Sequence, residues 1–230
     1  MTDGRLAVNT AAELELPTID ETEKRYLDAR QIRGLADAAG DHGPLVLLLG
    51  FTGLRFGEAA ALTVRDIDLV RGRVRVHRSV TAVDGKMVYS APKSHQARTV
   101  PLPRFLVDAL RDHLQGKDLG DLAFPDSHGG PMRVDNVRRR WWGRAVRDSG
   151  MPTGLSPHEL RHSAASMAIT AGASIKVVQK MLGHKSATLT LDRYGHLYQD
   201  ELQNVADRLD SLHASAERAQ NVPTRLRVVR

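Results

Sequence analysis

Arg73-Val74-Arg75-Val76-His77-Arg78 breaks the helical pattern that surrounds it. Valine alternates with basic residues there, and a period of two turns every second side chain toward one face, as a half-buried strand requires. Working outward, Lys86-Met87-Val88-Tyr89-Ser90 follows the hairpin signal Asp84-Gly85, and Arg98-Thr99-Val100-Pro101 reads as a further strand. These runs predict a small three-stranded antiparallel sheet whose second turn carries Lys93. On the N-terminal side, Asp28 with Gln31 three residues on predicts a capped helix with Ile32, Leu35, Ala36 and Ala39 on its apolar stripe. The apolar run 45–51 predicts a buried helix, and another follows over about 55–62. Beyond the sheet, helices are expected over 103–114, 134–147, 157–171 and 174–181, then a short one before Tyr194 and a last one from about Tyr198. The fold class is therefore α+β, mainly helical. Residues 1–22 read as a linker or arm, 23–212 as one globular domain and 213–230 as a C-terminal tail.

Composition narrows the function. The chain of 230 residues carries a formal charge of +6, which favours a polyanionic partner. Of its 33 basic residues only 7 are lysines, and a planar guanidinium grips two phosphate oxygens at once; a GC-rich coding sequence accounts equally well for the bulk of these arginines. With no cysteine there is no disulfide framework or thiolate metal site. No apolar run approaches the roughly 18 residues that span a bilayer, and no secretory signal opens the chain, so a cytoplasmic protein is expected.

Candidate chemistry lies in five short motifs. In Ser156-Pro157-His158-Glu159-Leu160-Arg161-His162-Ser163 the serine caps a helix, Pro157 suits its first position and Glu159 closes a capping box. His158 and Arg161, three apart, share a face at the end of the helix where free N–H groups favour an anion. In Thr52-Gly53-Leu54-Arg55-Phe56-Gly57-Glu58 an arginine follows an apolar segment, and burying its charge demands a partner. Glu58 fits that need as a positioning residue and not as a proton carrier. Lys93, in Pro92-Lys93-Ser94, reads on its own as a solubilising loop lysine. His184 follows Leu182-Gly183 at a helix end, and Tyr194 precedes Gly195-His196. His162 and His196 read as packing or hydrogen-bonding residues. Tyr198 is a rival to Tyr194, but Leu202, Val205, Leu209 and Leu212 behind it mark an apolar helix face. The segment 133–147 holds Arg138, Arg139, Arg140 and Arg144 beside Trp141 and Trp142. The stripe Val134, Val137, Trp141 and Ala145 assigns the tryptophans to the core and leaves the arginines to face duplex phosphates.

Arg55, Lys93, His158, Arg161, His184 and Tyr194, in that order and in those contexts, resemble the catalytic domain of the tyrosine recombinases, the phage integrase family. The resemblance implies that Arg55 and Arg161 clamp the scissile phosphate and His184 bonds a non-bridging oxygen. It implies that His158 assists proton removal, that Lys93 protonates the leaving 5′ oxygen, and that Tyr194 is the nucleophile of a 3′-phosphotyrosyl intermediate formed without metal or other cofactor. It further implies double-stranded DNA with attachment-type sites as substrate, a homotetramer on paired sites and a monomer without DNA. Members of the family carry an N-terminal DNA-binding domain, and this chain begins in what reads as the linker after it; an excised catalytic domain and a naturally short recombinase both fit. A type IB topoisomerase-like relaxing enzyme and a non-catalytic DNA-binding remnant are the competing readings.

Overall fold

The computed structural model describes residues 25–92, 97–198 and 201–220. Its centre is α2 (Gly43–Thr52), whose Leu45, Val46, Leu48 and Leu49 are all nearly inaccessible. A helix apolar on every side has to be enclosed, and α1 (Ala29–Ala38) and α7 (Pro157–Thr170) do most of the enclosing. Each such side chain contributes about 1.5–3 kcal/mol by leaving water. Helix α1 starts at the expected capping box, with Asp28 Oδ1 accepting from the Gln31 N–H at 2.8 Å and Gln31 Oε1 from the Asp28 N–H at 2.9 Å. After α2 the chain turns through Gly53 at φ +66° into α3 (Phe56–Ala60). A Cβ at Gly53 would sit 2.7 Å from Leu182 Cδ2 and displace that methyl, but it is the positive φ that strains any other residue there.

The strands form two sheets instead of one. β1 (Ile67–Asp68), β2 (Arg73–Val76) and β5 (Arg98–Pro101) make a three-stranded antiparallel sheet in the order β1-β2-β5, with Val74 opposite Val100. β3 (Ser79–Val83) and β4 (Lys86–Ser90) make a separate hairpin across the Asp84-Gly85 turn. The expected membership of Lys86–Ser90 in the first sheet is thus corrected. The physical cause lies at Arg78, whose Nε donates to the Ala61 carbonyl at 2.8 Å and whose Nη2 donates to Thr63 Oγ1 at 3.2 Å. These bonds hold the chain between β2 and β3 against α3, so that Val74 and Val76 face the core while most of the hairpin faces solvent. The connection from β4 to β5 consequently joins two sheets and is not a hairpin turn. Lys93, placed in such a turn by the sequence reading, lies outside the described residues.

Helix α4 (Arg104–Leu114) follows β5, and then α5 (Val134–Val137), a π-helical turn (Arg138–Trp142) and α6 (Gly143–Asp148) run on continuously. The π turn rotates the helix enough for consecutive tryptophans both to be buried. Trp141 stacks on His42 with centroids 4.3 Å apart, and Trp142 Nε1 donates to the Leu155 carbonyl at 2.6 Å. Helices α8 (Ile175–Leu182) and α9 (Ala187–Tyr194) pack with α7 into a second apolar cluster of Ala165, Ile169, Val178, Leu182 and Tyr194. Tyr198 corrects another expectation. It ends a 3-10 turn (Gly195–Tyr198) ahead of α10 (Glu201–Gln220), packs on this second cluster and donates its hydroxyl to the Ala173 carbonyl at 2.9 Å. Val205, Leu209 and Leu212 of α10 are 47%, 60% and 67% exposed, so these three positions of the seam are not buried against the described residues. Among the described residues no helix is long and apolar enough to cross a membrane.

Candidate active site

Two arginines from distant parts of the chain meet on one carboxylate, and a third lies close by. Glu58 on α3 is fully buried. Its Oε2 accepts from the Arg55 N–H at 2.8 Å and its Oε1 from Arg55 Nη1 at 3.0 Å, so Glu58 caps the start of its own helix and fixes the arginine beside it. From β5, Arg98 meets the same carboxylate with both ends of its fork, Nη1 to Oε1 at 2.9 Å and Nη2 to Oε2 at 2.7 Å. Burial pushes the Glu58 carboxyl upward, but the hydrogen bonds and charges of Arg98 and Arg55 outweigh it and hold the group below the usual carboxylate range.

Arg161, on α7 and 3% exposed, donates from Nη1 to the Gly53 carbonyl at 2.5 Å and from Nη2 to the Leu182 carbonyl at 2.7 Å. It ties the end of α2 to the end of α8 without a carboxylate of its own. Burial and the positive charge of Arg55 lower its guanidinium to about 9. The start of α7 is built as expected, with the Ser156 N–H donating to Glu159 Oε2 at 2.5 Å.

Helix α8 stops at Gly183, which lies at φ +66° and donates to the Lys180 carbonyl at 3.3 Å, while the His184 N–H reaches the Gln179 carbonyl at 3.1 Å. This closure aims His184 inward, and its Nδ1 shares a 2.9 Å hydrogen bond with the buried Thr190 hydroxyl. Burial, then the charges of Arg161 and Arg55, lower the His184 imidazole to about 4, so it is neutral at pH 7. Arg98 also braces this corner, donating from Nε to the Met181 carbonyl at 2.9 Å.

Tyr194 ends α9 with 1% of its surface exposed, and its hydroxyl shares a 2.8 Å hydrogen bond with His162 Nδ1. Burial pushes the phenol up to about 12 despite the opposing charges of Arg161 and Arg193. The His158 ring meets the His162 ring edge to face at 5.0 Å. Shielding from solvent, then Arg161, Arg193 and Arg55, lower the His158 imidazole.

The structure therefore brings Arg55, Glu58, Arg161, His158, His184 and Tyr194 into one electrostatic neighbourhood. Two members were missed. Arg98 had a legible signal, since it lies two residues from the inward-facing Val100 and so shares its face. His162 had been given a packing or hydrogen-bonding role without a partner, and that partner is Tyr194. Arg138, Arg139, Arg140 and Arg144 are exposed on the π turn and α6. Arg139 donates to Asn136 Oδ1 at 3.2 Å and Arg140 to Ser127 Oγ at 3.3 Å. A cavity of about 770 Å³ opens at His184, whereas one of about 500 Å³ beside Arg138, Trp142 and Leu155 and one of about 370 Å³ between His42, Arg140 and Trp141 touch none of the clustered residues. Among the described residues no three His, Asp or Glu side chains gather as metal ligands.

A mixed fold that sets two guanidiniums on one buried carboxylate, with a third guanidinium and a buried phenol close by, defines a site suited to an anion. The model of the phage integrase family matches residues 25–201, and the chain belongs to that family. It is 31% identical over 170 residues to the ICEBs1 integrase of Bacillus subtilis (strain 168), covering 70% of this chain and 46% of that protein. It is 32% identical over 224 residues to tyrosine recombinase XerC of Xanthomonas axonopodis pv. citri (strain 306), covering 94% of this chain and 67% of that one. The chain thus spans about half to two thirds of the length of these relatives. Among solved structures, the Tn1549 transposon integrase in complex with transposon right end DNA superposes with a TM-score of 0.72 at 23% identity, over 83% of this chain and 67% of that one. The catalytic domain of bacteriophage HP1 integrase gives 0.55 at 27% identity, over 80% and 95% respectively. The α+β fold of the tyrosine recombinase catalytic domain is the fold of this chain.

Proposed function

We propose that this chain is the catalytic part of a site-specific DNA recombinase that breaks and rejoins strands through Tyr194. The observation that carries the reading is the charge imbalance of the buried cluster: Arg55 and Arg98 share the single carboxylate of Glu58, and Arg161 lies close by with carbonyl partners instead of a carboxylate. Two uncompensated positive charges in a desolvated site select an anion, and a phosphodiester supplies equatorial oxygens for them. Arg55 and Arg161 stabilise those oxygens as charge builds in the transition state. With Nδ1 committed to Thr190, His184 offers Nε2 to a third position. Glu58 positions Arg55, and Arg98 holds Glu58 in place.

Tyr194 attacks phosphorus and the 5′ oxygen leaves, giving a 3′-phosphotyrosyl bond that conserves the linkage for rejoining. A phenol held near 12 is a poor nucleophile at pH 7. Its proton passes to His162 Nδ1, already in contact, with His158 beside it assisting. Lys93 protonates the leaving oxygen. Arg138, Arg139, Arg140 and Arg144 contact duplex phosphates, and the exposed seam of α10 passes to a neighbouring copy in a homotetramer on paired attachment-type sites, the protein being monomeric without DNA. Residues 1–22 serve as an arm, 23–212 as the catalytic domain and 213–230 as the exchanged tail, working in the cytoplasm on the nucleoid. The names of the relatives, integrases and tyrosine recombinases, support recombination over topoisomerase-like relaxation and over a non-catalytic remnant.

The test is trapping on a nicked suicide duplex, in which release of a short fragment prevents rejoining. A protease-sensitive adduct carried by the unaltered chain and absent from Tyr194→Phe is the expected result. An adduct that persists in Tyr194→Phe and disappears in Tyr198→Phe would overturn the assignment.

A further inference from the structure

The cavity that opens at His184 is a groove between the sheet and α8, and half of its lining residues are arginine or lysine. Arg75 and Thr99 are cross-strand partners on β2 and β5, and Arg75 projects from the exposed face of β2. Lys176 and Lys180 lie one turn apart on the exposed side of α8, Lys185 follows the helix, and Arg98 with His184 forms the inner end. Among the described residues no aspartate or glutamate lines the groove. Four exposed cations crowded along one channel repel one another, and an anion threaded between them relieves that repulsion.

We infer that this groove holds the sugar-phosphate backbone of the cleaved strand next to the scissile phosphate. The inference rests on the strand-transfer reading of the site and adds a phosphate track on a face other than that of Arg138 to Arg144. Continuity is the main argument: His184 belongs both to the catalytic cluster and to the groove. Phosphates recur every ~3.4 Å of axis along one strand. A strand with one phosphate at His184 therefore carries its neighbours into the adjoining surface, and that surface is this groove. Flexible lysine ammonium groups suit a backbone contact that is indifferent to base sequence.

The experiment is a salt titration of duplex binding by fluorescence anisotropy from 50 to 200 mM, using the full chain, with ~0.9 of slope lost per phosphate contact removed. Lys176→Gln combined with Lys180→Gln removes two exposed charges that contribute neither to the core nor to catalysis. Over that salt range each lost contact flattens the affinity change by roughly 3.5-fold, so the double variant is expected to lose about 12-fold of the salt dependence. Arg30→Gln with Arg104→Gln removes the same charge from exposed positions outside the groove and is expected to leave the slope nearly unchanged. An equal fall in both double variants would reduce the effect to net charge and overturn the proposal. So would an unchanged slope in the lysine variant, including the case where it loses only subunit pairing, since an acidic segment of a second copy would then be the occupant. Failure of the unaltered chain to bind duplex at all would instead remove the strand-transfer reading on which the groove depends.

Discussion

Replacing Glu58 by glutamine tests the electrostatic logic of the site directly. The side chain keeps its shape, yet one acceptor becomes an amide that points N–H groups at guanidinium groups. Four hydrogen bonds of 2.7 to 3.0 Å are affected, and Arg55 and Arg98 lose their common counter-charge while Arg161 stays close by. Removing one partner of a buried ion pair costs about 3–5 kcal/mol, a large part of the ~5–15 kcal/mol that holds a domain together. Urea unfolding followed by circular dichroism measures it. Glu58→Gln combined with Arg98→Met removes one orphaned charge and is expected to be more stable than Glu58→Gln alone. The difference between wild type and Glu58→Gln should also depend on pH. Because the folded carboxyl titrates below its ordinary value, its contribution is complete above the unfolded pKa, 4.5, and disappears as pH falls through the folded value. Strand cleavage by the single variant should drop by about 100-fold as Arg55 loses its fixed position. A stability loss under ~1 kcal/mol, or a double variant weaker than the single, would refute the idea that the arginines depend on this carboxylate.

Further outcomes bear on the neighbouring groups. With its imidazole lowered to about 4, His184 resists protonation in the folded state, so part of the stability is lost as pH falls from 6.5 toward 4, and His184→Gln should unfold with a flatter profile over that interval. Lys93→Ala should slow cleavage of an ordinary phosphodiester but act nearly normally on a 5′-phosphorothiolate, whose sulfur leaves without a proton, whereas Arg161→Ala should be slow on both; equal rescue would deny Lys93 the acid role. Leu209→Asp with Leu212→Asp should leave thermal stability unchanged, since both positions are exposed, while abolishing assembly on paired sites as read by gel mobility. Intact pairing would remove α10 from the interface.

Much of this architecture was legible because it is local. The start of α7 could be read from Ser156, Pro157 and Glu159, since capping is decided within one turn, and that cap sets where His158 and Arg161 point. The arrest of α8 at Gly183 was equally legible and brought His184 with it. Long-range choices were not. Nothing within 73–90 says that Arg78 will anchor on carbonyl and hydroxyl oxygens of the 61–63 segment, and that distant anchor splits one expected sheet into two. The partnership of His162 with Tyr194 spans 32 residues and depends on how α7 meets α9. Arg98 was overlooked for a different reason: a charged residue at a strand start reads as solvent-facing unless the parity set by Val100 is followed through.

The bonds of Arg161 carry a consequence for the life of the chain before it is finished. One partner, Gly53, lies 108 residues away in sequence, and Arg98 reaches 83 residues to Met181. Contacts of such separation are the last to be repaid during folding, because long loops must close first. A nascent chain still on the ribosome, or a fragment ending before α8, can form the α1-α2 pair and the strands but not the bonds of Arg161 and Arg98 to Leu182 and Met181, nor place His184 and Tyr194. The complete cluster would then arrive only in molecules that have finished their fold, so that partly folded copies lack it by construction.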